Sequence, residues 1–208
     1  MDPFRFPPLP SSQFNDSPEW SYSMRRDMQE IIPGLYLGPY AAAVKSKLCY
    51  LQNFGITHII CIRQSCEANF IKPNFPDVFK YLVLDIADSQ TENIIRFFPK
   101  VRDFLNNCFL TGGKALVHGN AGISRSAALI IAYVMEKHGL SYRETYSYVQ
   151  ERRFCINPNE GFAQQLQEYE PIYRANLTLE YGHPSIETGR LKRKLDEDDD
   201  GSSEMMIS

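Results

Sequence analysis

Residues 114–133 read KALVHGNAGISRSAALIIAY, and the order of residue types in them decides what kind of domain this chain forms. Lys114–Gly119 is a short apolar run that reads as a strand, and from Ser126 the run SAALIIAYVMEKHG is apolar nearly all round, which predicts a buried helix. Between them lie small and polar residues with Gly122 in their midst. A strand, a tight loop and a buried helix make an anion site. The unpaired N–H groups of the helix start and the positive end of its dipole point at one spot. Gly122 lets the loop backbone turn and approach an oxygen closely. Arg125 offers a planar fork for two phosphate oxygens, which a lysine could not match. Ser124 and Ser126 can hydrogen-bond within the loop or cap the helix. For a lone Gly and Arg, an ordinary strand-to-helix turn would be the simpler reading. The full run His118–Ser126 between an apolar strand and an apolar helix points instead to a cradle.

Working outward, three more apolar runs read as strands: LYLG at 35–38, THIICIR at 57–63 and YLVLDI at 81–86. They lack polar alternation, so both faces of their sheet should be covered. Helical patterns separate them. Ile94, Phe97, Phe98, Val101, Phe104, Leu105 and Cys108 recur at spacings of three and four, with Ser89-x-x-Glu92 as a capping box ahead and Gly112–Gly113 as a stop. Pro99 either kinks that helix or marks its true start. Ser141-x-x-Glu144 opens a helix through Tyr148 and Val149. Asn157, with Pro158 at the first helical position, is expected to cap NEGFAQQLQEYE, where Phe162, Leu166 and Tyr169 share a face. Alternating strands and helices predict an α/β domain with a central, mostly parallel sheet flanked by helices.

A chain of 208 residues holds one domain of ordinary size plus tails. Residues 1–27, rich in Pro and Ser, should be extended or partly disordered, although Phe4, Phe6 and Trp20 could dock on the core. The domain should span 28–174, and 175–208, with LKRKL followed by DEDDD, reads as a charged, disordered tail. LKRKL is open to three readings: a kinase-docking patch, a nuclear import signal or a solvated charge run. Hydrophobic content of 43% and aromatic content of 12% suffice for a core, and a net charge of −3 gives no field for nucleic acid. Five cysteines without a CxxC pair and four scattered histidines predict neither a disulfide framework nor a metal site. No apolar run is long enough to span a bilayer. The expected setting is the cytosol or the nucleus, with no membrane partner. No cofactor is expected, and oligomeric state is not legible.

The segment VHGNAGISRSA resembles the signature loop of the cysteine-dependent protein phosphatases, His-Cys-x-x-Gly-x-x-Arg-Ser/Thr, in its dual-specificity form. EIIPGLYLGPY resembles the first strand of those domains, VLDIADSQTENIIRFFPKV the segment bearing their general acid, and YVQERRFCINPNEGFAQQL their C-terminal helices. The resemblance covers about residues 28–174 and implies these roles. Arg125 would bind phosphoryl oxygens, and the backbone of Asn120, Ala121, Gly122, Ile123, Ser124 and Arg125 would line the cradle. Ser126 would match the hydroxyl that assists thiolate departure, and His118 a loop-ordering residue. Asp88 would match the general acid, with Asp85 as its rival. The nucleophile position holds Gly119, so that role is absent. Among such domains, the Gly for Cys exchange resembles the pseudophosphatases.

A phosphatase of this type needs a thiolate, and glycine has no atom to attack phosphorus. Loss of a nucleophile costs on the order of 10⁴ to 10⁶ in rate. Ser124 has the wrong register, and Cys108 and Cys155 read as buried small hydrophobes. Binding survives that loss, because position 119 supplied no donor to phosphate. The resulting expectation is a protein that binds phosphorylated Ser, Thr or Tyr on other proteins without dephosphorylating them. The resemblance implies MAP kinases as partners and competition with active phosphatases for them. Two alternatives stand beside it: an interaction scaffold that leaves the cradle unused, and an active phosphatase with an unusual nucleophile.

Overall fold

A computed structural model describes residues 6–10 and 20–181 of the chain, with side chains as far as 176. Five strands form one sheet in the order β1-β2-β5-β3-β4. They are β1 (Gln29–Ile32), β2 (Leu35–Pro39), β3 (Ile56–Arg63), β4 (Lys80–Asp85) and β5 (Lys114–Gly119). The pairs β2–β5, β5–β3 and β3–β4 are parallel, and β1 pairs antiparallel with β2 at the edge. The helices are α1 (Leu48–Asn53), α2 (Phe98–Leu110), α3 (Arg125–His138), α4 (Tyr142–Arg152) and α5 (Glu160–Tyr181).

Because successive side chains of a strand point to opposite faces, each central strand feeds two cores. Ile60 and Ile62 of β3 and Ala115 and Val117 of β5 pack under α2–α5. Ile59 and Leu116 face the other way, against Met28, Tyr36, Leu51, Phe75 and Phe79. Burial on both faces is why these strands read as unbroken apolar runs. Helix α3 is buried at every residue from Arg125 to Met135, and α2, α4 and α5 pack around it. The segments leaving the C-terminal ends of β3, β4 and β5 rise at one edge, the place where open parallel sheets collect ligand sites.

Several local signals resolve differently from their expected form. The stretch Glu30–Tyr40 makes two strands, with β1 added on the edge and Gly34 at φ 82° turning between them. Ser89 and Glu92 do not open a helix. Glu92 N–H donates to Ser89 O at 3.2 Å in a turn, and α2 starts at Phe98 with Pro99 in its first turn. The reason is tertiary: Gln165 of α5 accepts from Ile94 N–H and donates to Glu92 O, both at 2.8 Å, and so fixes the segment where a local cap would have formed. Pro99 therefore marks a start rather than a kink. Asn157 is not the cap of α5 either. Its N–H donates to Ile123 O at 2.9 Å, and Asn159 Oδ1 accepts from Phe162 N–H at 3.0 Å instead. The Ser141–Glu144 capping box is present, and Gly112 at φ 69° ends α2. Helix α5 continues to Tyr181, beyond the boundary read at 174.

Part of the N-terminal segment is docked. The Phe6 ring covers Gly139, His138 Nδ1 donates to Pro7 O at 2.8 Å, and Trp20 lies 6.4 Å from the Phe154 ring. Phe4 and the LKRKL and DEDDD runs lie outside the described residues.

Candidate phosphate-binding site

The loop from Gly119 to Arg125 joins β5 to α3, and its carbonyls can be accounted for one by one. Asn120 O accepts from Tyr40 N–H at 3.0 Å, Ile123 O from Asn157 N–H at 2.9 Å and Ser124 O from Ala128 N–H at 2.9 Å. Ala121 O and Gly122 O accept from the Arg153 guanidinium at 3.1 and 2.8 Å. Every carbonyl from 120 to 124 is thus turned into the body of the protein. In a trans peptide the N–H points opposite the C=O, so the amides of residues 121–125 face the other way, into a concavity of about 260 Å³. Asp88 and residues Gly119 to Ser126 line it. Gly122 makes the curl possible. It sits at φ 69°, and a Cβ there would fall 2.5 Å from Gly38 O, so no other residue fits.

Arg125 is only 7% exposed. Glu67, on the turn after β3, grips the end of its guanidinium, with Nη1 to Oε2 at 2.7 Å and Nη2 to Oε1 at 3.1 Å. Nη1 also donates to Ile86 O at 3.3 Å. The Nε side remains towards the cavity, where Asp88 Oδ2 lies 3.7 Å away. The hydrogen bond from Arg125, more than any other contact, holds the Glu67 carboxyl below its usual range. Asp88 Oδ1 accepts from Ser124 Oγ at 2.7 Å and Asn159 Nδ2 at 2.9 Å. Its rival Asp85 ends β4, pairs with Arg63 at 3.3 Å and does not line the cavity.

His118 lies behind the loop, fully enclosed. Its ring sits 5.7 Å from Tyr40 and its Nδ1 meets Gly119 O at 3.4 Å. Burial pushes its pKa down to about 4, so the ring is neutral and structural. Ser126 Oγ is buried with no partner among the described residues. Neither serine caps α3: Ser124 holds the N-cap position without a side-chain bond to the helix, and its hydroxyl goes to Asp88. Gly119 has no positive φ, and a Cβ there would meet Ser126 Oγ at 3.4 Å, an ordinary contact.

Three residues of this arrangement escape the sequence pattern: Glu67, Arg153 and Asn159. Arg153 is fully buried and spends its donors on Ala121, Gly122, Arg25, Asp27 and Gln29. Nothing local marks them, since each meets the loop from a distant part of the chain. Cys108 is buried as expected, whereas Cys155 is only half-buried. A larger concavity of about 440 Å³, with Thr57, His58, Asp77 and Lys80 on its wall, lies at the opposite end of the sheet, and none of the cradle residues lines it. Among the described residues there is no cluster of metal-ligating side chains, and no helix is long and apolar enough to cross a membrane.

These features have close counterparts in known proteins. Residues 35–172 match the model of the dual specificity phosphatase catalytic domain. The serine/threonine/tyrosine-interacting protein of Homo sapiens is 61% identical over 205 residues, covering 94% of this chain and 92% of that one. Dual specificity protein phosphatase 22 of Homo sapiens is 36% identical over 168 residues, covering 79% of this chain and 87% of that one. The crystal structure of the human tyrosine phosphatase-like serine/threonine/tyrosine-interacting protein superposes with a TM-score of 0.71 at 68% identity, covering 72% of this chain and 99% of that one. With its loop, its sheet and the match over residues 35–172 in agreement, the chain belongs to the dual specificity phosphatase family.

Proposed function

We propose that the protein is a pseudophosphatase: it binds phosphorylated Ser, Thr or Tyr side chains of other proteins in the cradle and does not hydrolyse them. The observation that carries this reading is the loop geometry. Five successive carbonyls are turned away from the cavity into the body of the protein, the amides that follow them are turned towards the cavity, and Arg125 is buried at the rim with its Nε side towards it. Backbone amides at a helix start and a guanidinium are the donors a phosphoryl group needs. Glu67 holds Arg125 from behind without covering that side. An entering phosphoryl group displaces Asp88 from Arg125.

Turnover lacks its first atom. Gly119 offers nothing to attack phosphorus, and no thiolate there repels an incoming dianion. Ser124 does have a carboxylate neighbour in Asp88, but a carboxylate is too weak a base to activate an alkyl hydroxyl unaided. Small aryl phosphates should therefore turn over only at background. Purified turnover that vanishes with Ser124→Ala or Cys155→Ala would overturn this.

The bidentate Glu67–Arg125 pair favours one other reading, because an arginine already satisfied does not require phosphate. In that reading the protein is a scaffold whose surface binds partners while the cradle stands idle. Arg125→Met separates the two. Two charge-assisted hydrogen bonds at roughly 1.5–3 kcal/mol each make a loss of about 100-fold or more in phosphopeptide affinity. Calorimetry with a phosphotyrosine peptide measures this directly. Pull-downs compared by mass spectrometry should lose phosphorylated partners in the variant, and phosphorylated MAP kinases are the class to look for first. A scaffold would keep its partners in both forms.

A further inference from the structure

Residues 6–10, Phe-Pro-Pro-Leu-Pro, lie against the end of α3 and the outer side of α4, and their contacts repeat every three residues. Phe6 covers Gly139, and Leu9 packs against the larger core. Pro7 O accepts from His138 Nδ1 at 2.8 Å, and Pro10 O from Tyr148 Oη at 3.4 Å. Phe6 and Leu9 are half-buried, whereas Pro7 and Pro8 are exposed. A polyproline II helix has three residues per turn and no internal hydrogen bonds. Residues three apart therefore share a face, and every carbonyl is open to an outside donor. Two apolar anchors at that spacing, and two carbonyls at the same spacing, are the way such a helix is read by a groove.

The seat is held in shape by other parts of the fold. Gly139 ends α3 in the left-handed region at φ 67°, and a Cβ there would collide with the Phe6 ring, so one glycine serves both the turn and the ring. Helix α5 braces that turn: Tyr173 Oη donates to Leu140 O at 2.7 Å, and Arg174 to Gly139 O at 3.3 Å. The Arg152 guanidinium stacks 3.4 Å from the centre of the Tyr148 ring and fixes it. His138 is buried, and its Nε2 has no partner among the described residues, so Pro7 O accepts the one hydrogen bond its ring makes there. None of these braces comes from residues 6–10. The two donors and the ring seat are therefore preformed for an extended chain, and preformed sites bind at a lower ordering cost.

We infer that this seat is a recognition site for proline-rich segments of the pattern Phe-Pro-x-Leu-Pro on a partner protein, and that the chain's own Phe6–Pro10 occupies it as their competitor. The contacts define the occupant: a ring for Gly139, a branched aliphatic side chain three residues on, and prolines that hold the extended helix. They are apolar or go to neutral carbonyls, so the occupant needs no charge. None of the seat's residues lines the cradle, and the inference is independent of the phosphoresidue reading. A segment on the same chain competes as a tethered ligand, at a local concentration on the order of millimolar. Against such a rival, a peptide whose own Kd is on the order of 0.1 mM binds about tenfold more weakly.

The test uses the full chain and a fluorescein-labelled peptide of residues 6–12, FPPLPSS. Anisotropy titration should give a Kd roughly tenfold lower for Phe6→Ala/Leu9→Ala, whose own segment has lost both anchors, than for wild type. Phe6→Ala alone should give a smaller gain. Adding Tyr148→Phe to the double variant removes the donor to Pro10 O and should weaken the peptide by about fivefold. A peptide carrying alanine at both anchor positions should not bind, and raised salt should leave the affinity of FPPLPSS unchanged, as expected of an uncharged contact. Equal affinity for wild type and the double variant, no binding to either, or binding of the alanine peptide would overturn the inference. A wild-type chain that is dimeric by light scattering and monomeric as Phe6→Ala/Leu9→Ala would put a second copy's segment in the seat and overturn the competition within one chain.

Discussion

Replacing Gly119 with Cys should turn this protein into a phosphatase. A Cβ at 119 meets Ser126 Oγ at 3.4 Å and Ile62 O at 3.8 Å, ordinary contacts, and the backbone there lies outside the left-handed region. The substitution therefore costs little strain. The new thiol would sit at the start of α3 beside Arg125, where helix dipole and guanidinium bring cysteine into the reactive range of about 3.5–7.5. Ser126 Oγ, buried beside it with no partner among the described residues, can donate to the thiolate. The inward amides would hold a phosphoryl group in line with the sulfur. A restored nucleophile is worth on the order of 10⁴ to 10⁶ in rate. The assay is aryl phosphate turnover by Gly119→Cys, beside Gly119→Cys/Arg125→Ala and Gly119→Cys/Asp88→Asn. Loss of Arg125 should abolish activity, and loss of Asp88 should slow poor leaving groups most. Asp88 is tied to Ser124 and Asn159, so its assignment as the acid is the first to fall under a negative result. A variant that folds, binds inorganic phosphate and shows no turnover would refute the reasoning.

Glu67→Ala should destabilise the fold by about 3 kcal/mol, the low end for a broken buried ion pair, because Ile86 O and Asp88 still touch Arg125; denaturant unfolding measures this, and added phosphate should narrow the deficit. Since the folded Glu67 pKa lies below its unfolded value of 4.5, the pair's contribution is complete above that pH and lost as pH falls through and below it. His118 also weakens the protein on acidification. Its pKa is about 4 folded against 6.5 unfolded, so between those values the unfolded chain binds a proton that the native one refuses, a loss of about 3 kcal/mol. His118→Gln should flatten melting temperature against pH over that interval, and an unchanged slope would show that the ring is not buried neutral. Arg153→Met strips the partners from Ala121 O and Gly122 O, at roughly 1–3 kcal/mol for each carbonyl left unpaired. It should weaken phosphate binding even where the protein still melts cooperatively, and unchanged affinity would mean that the loop holds its own shape.

The cradle was legible because its parts are contiguous: Gly119 to Ser126 run together in the chain, so strand, loop, fork and helix fall within one short stretch. The central strands were legible for a related reason, since burial on both faces leaves an unbroken apolar run such as Ile59–Ile62. What was missed depends on contacts across the chain. Glu67 meets Arg125 from 58 residues away, and Arg153 meets Ala121 from 32. No periodicity records such pairs. Strand β1 is four residues long with only Ile31 and Ile32 buried, too short for a pattern. The Ser89–Glu92 signature failed where the local rule was sound, because Gln165 supplied the competing hydrogen bonds.

Phosphorus NMR of a phosphotyrosine peptide titrated with the full chain tests binding and inertness together. The account predicts that the peptide resonance shifts or broadens saturably with protein, that Arg125→Met removes the effect, and that no inorganic phosphate signal grows over hours at equimolar protein. A resonance that ignores the protein, or an inorganic phosphate signal that rises with wild-type chain, would contradict it.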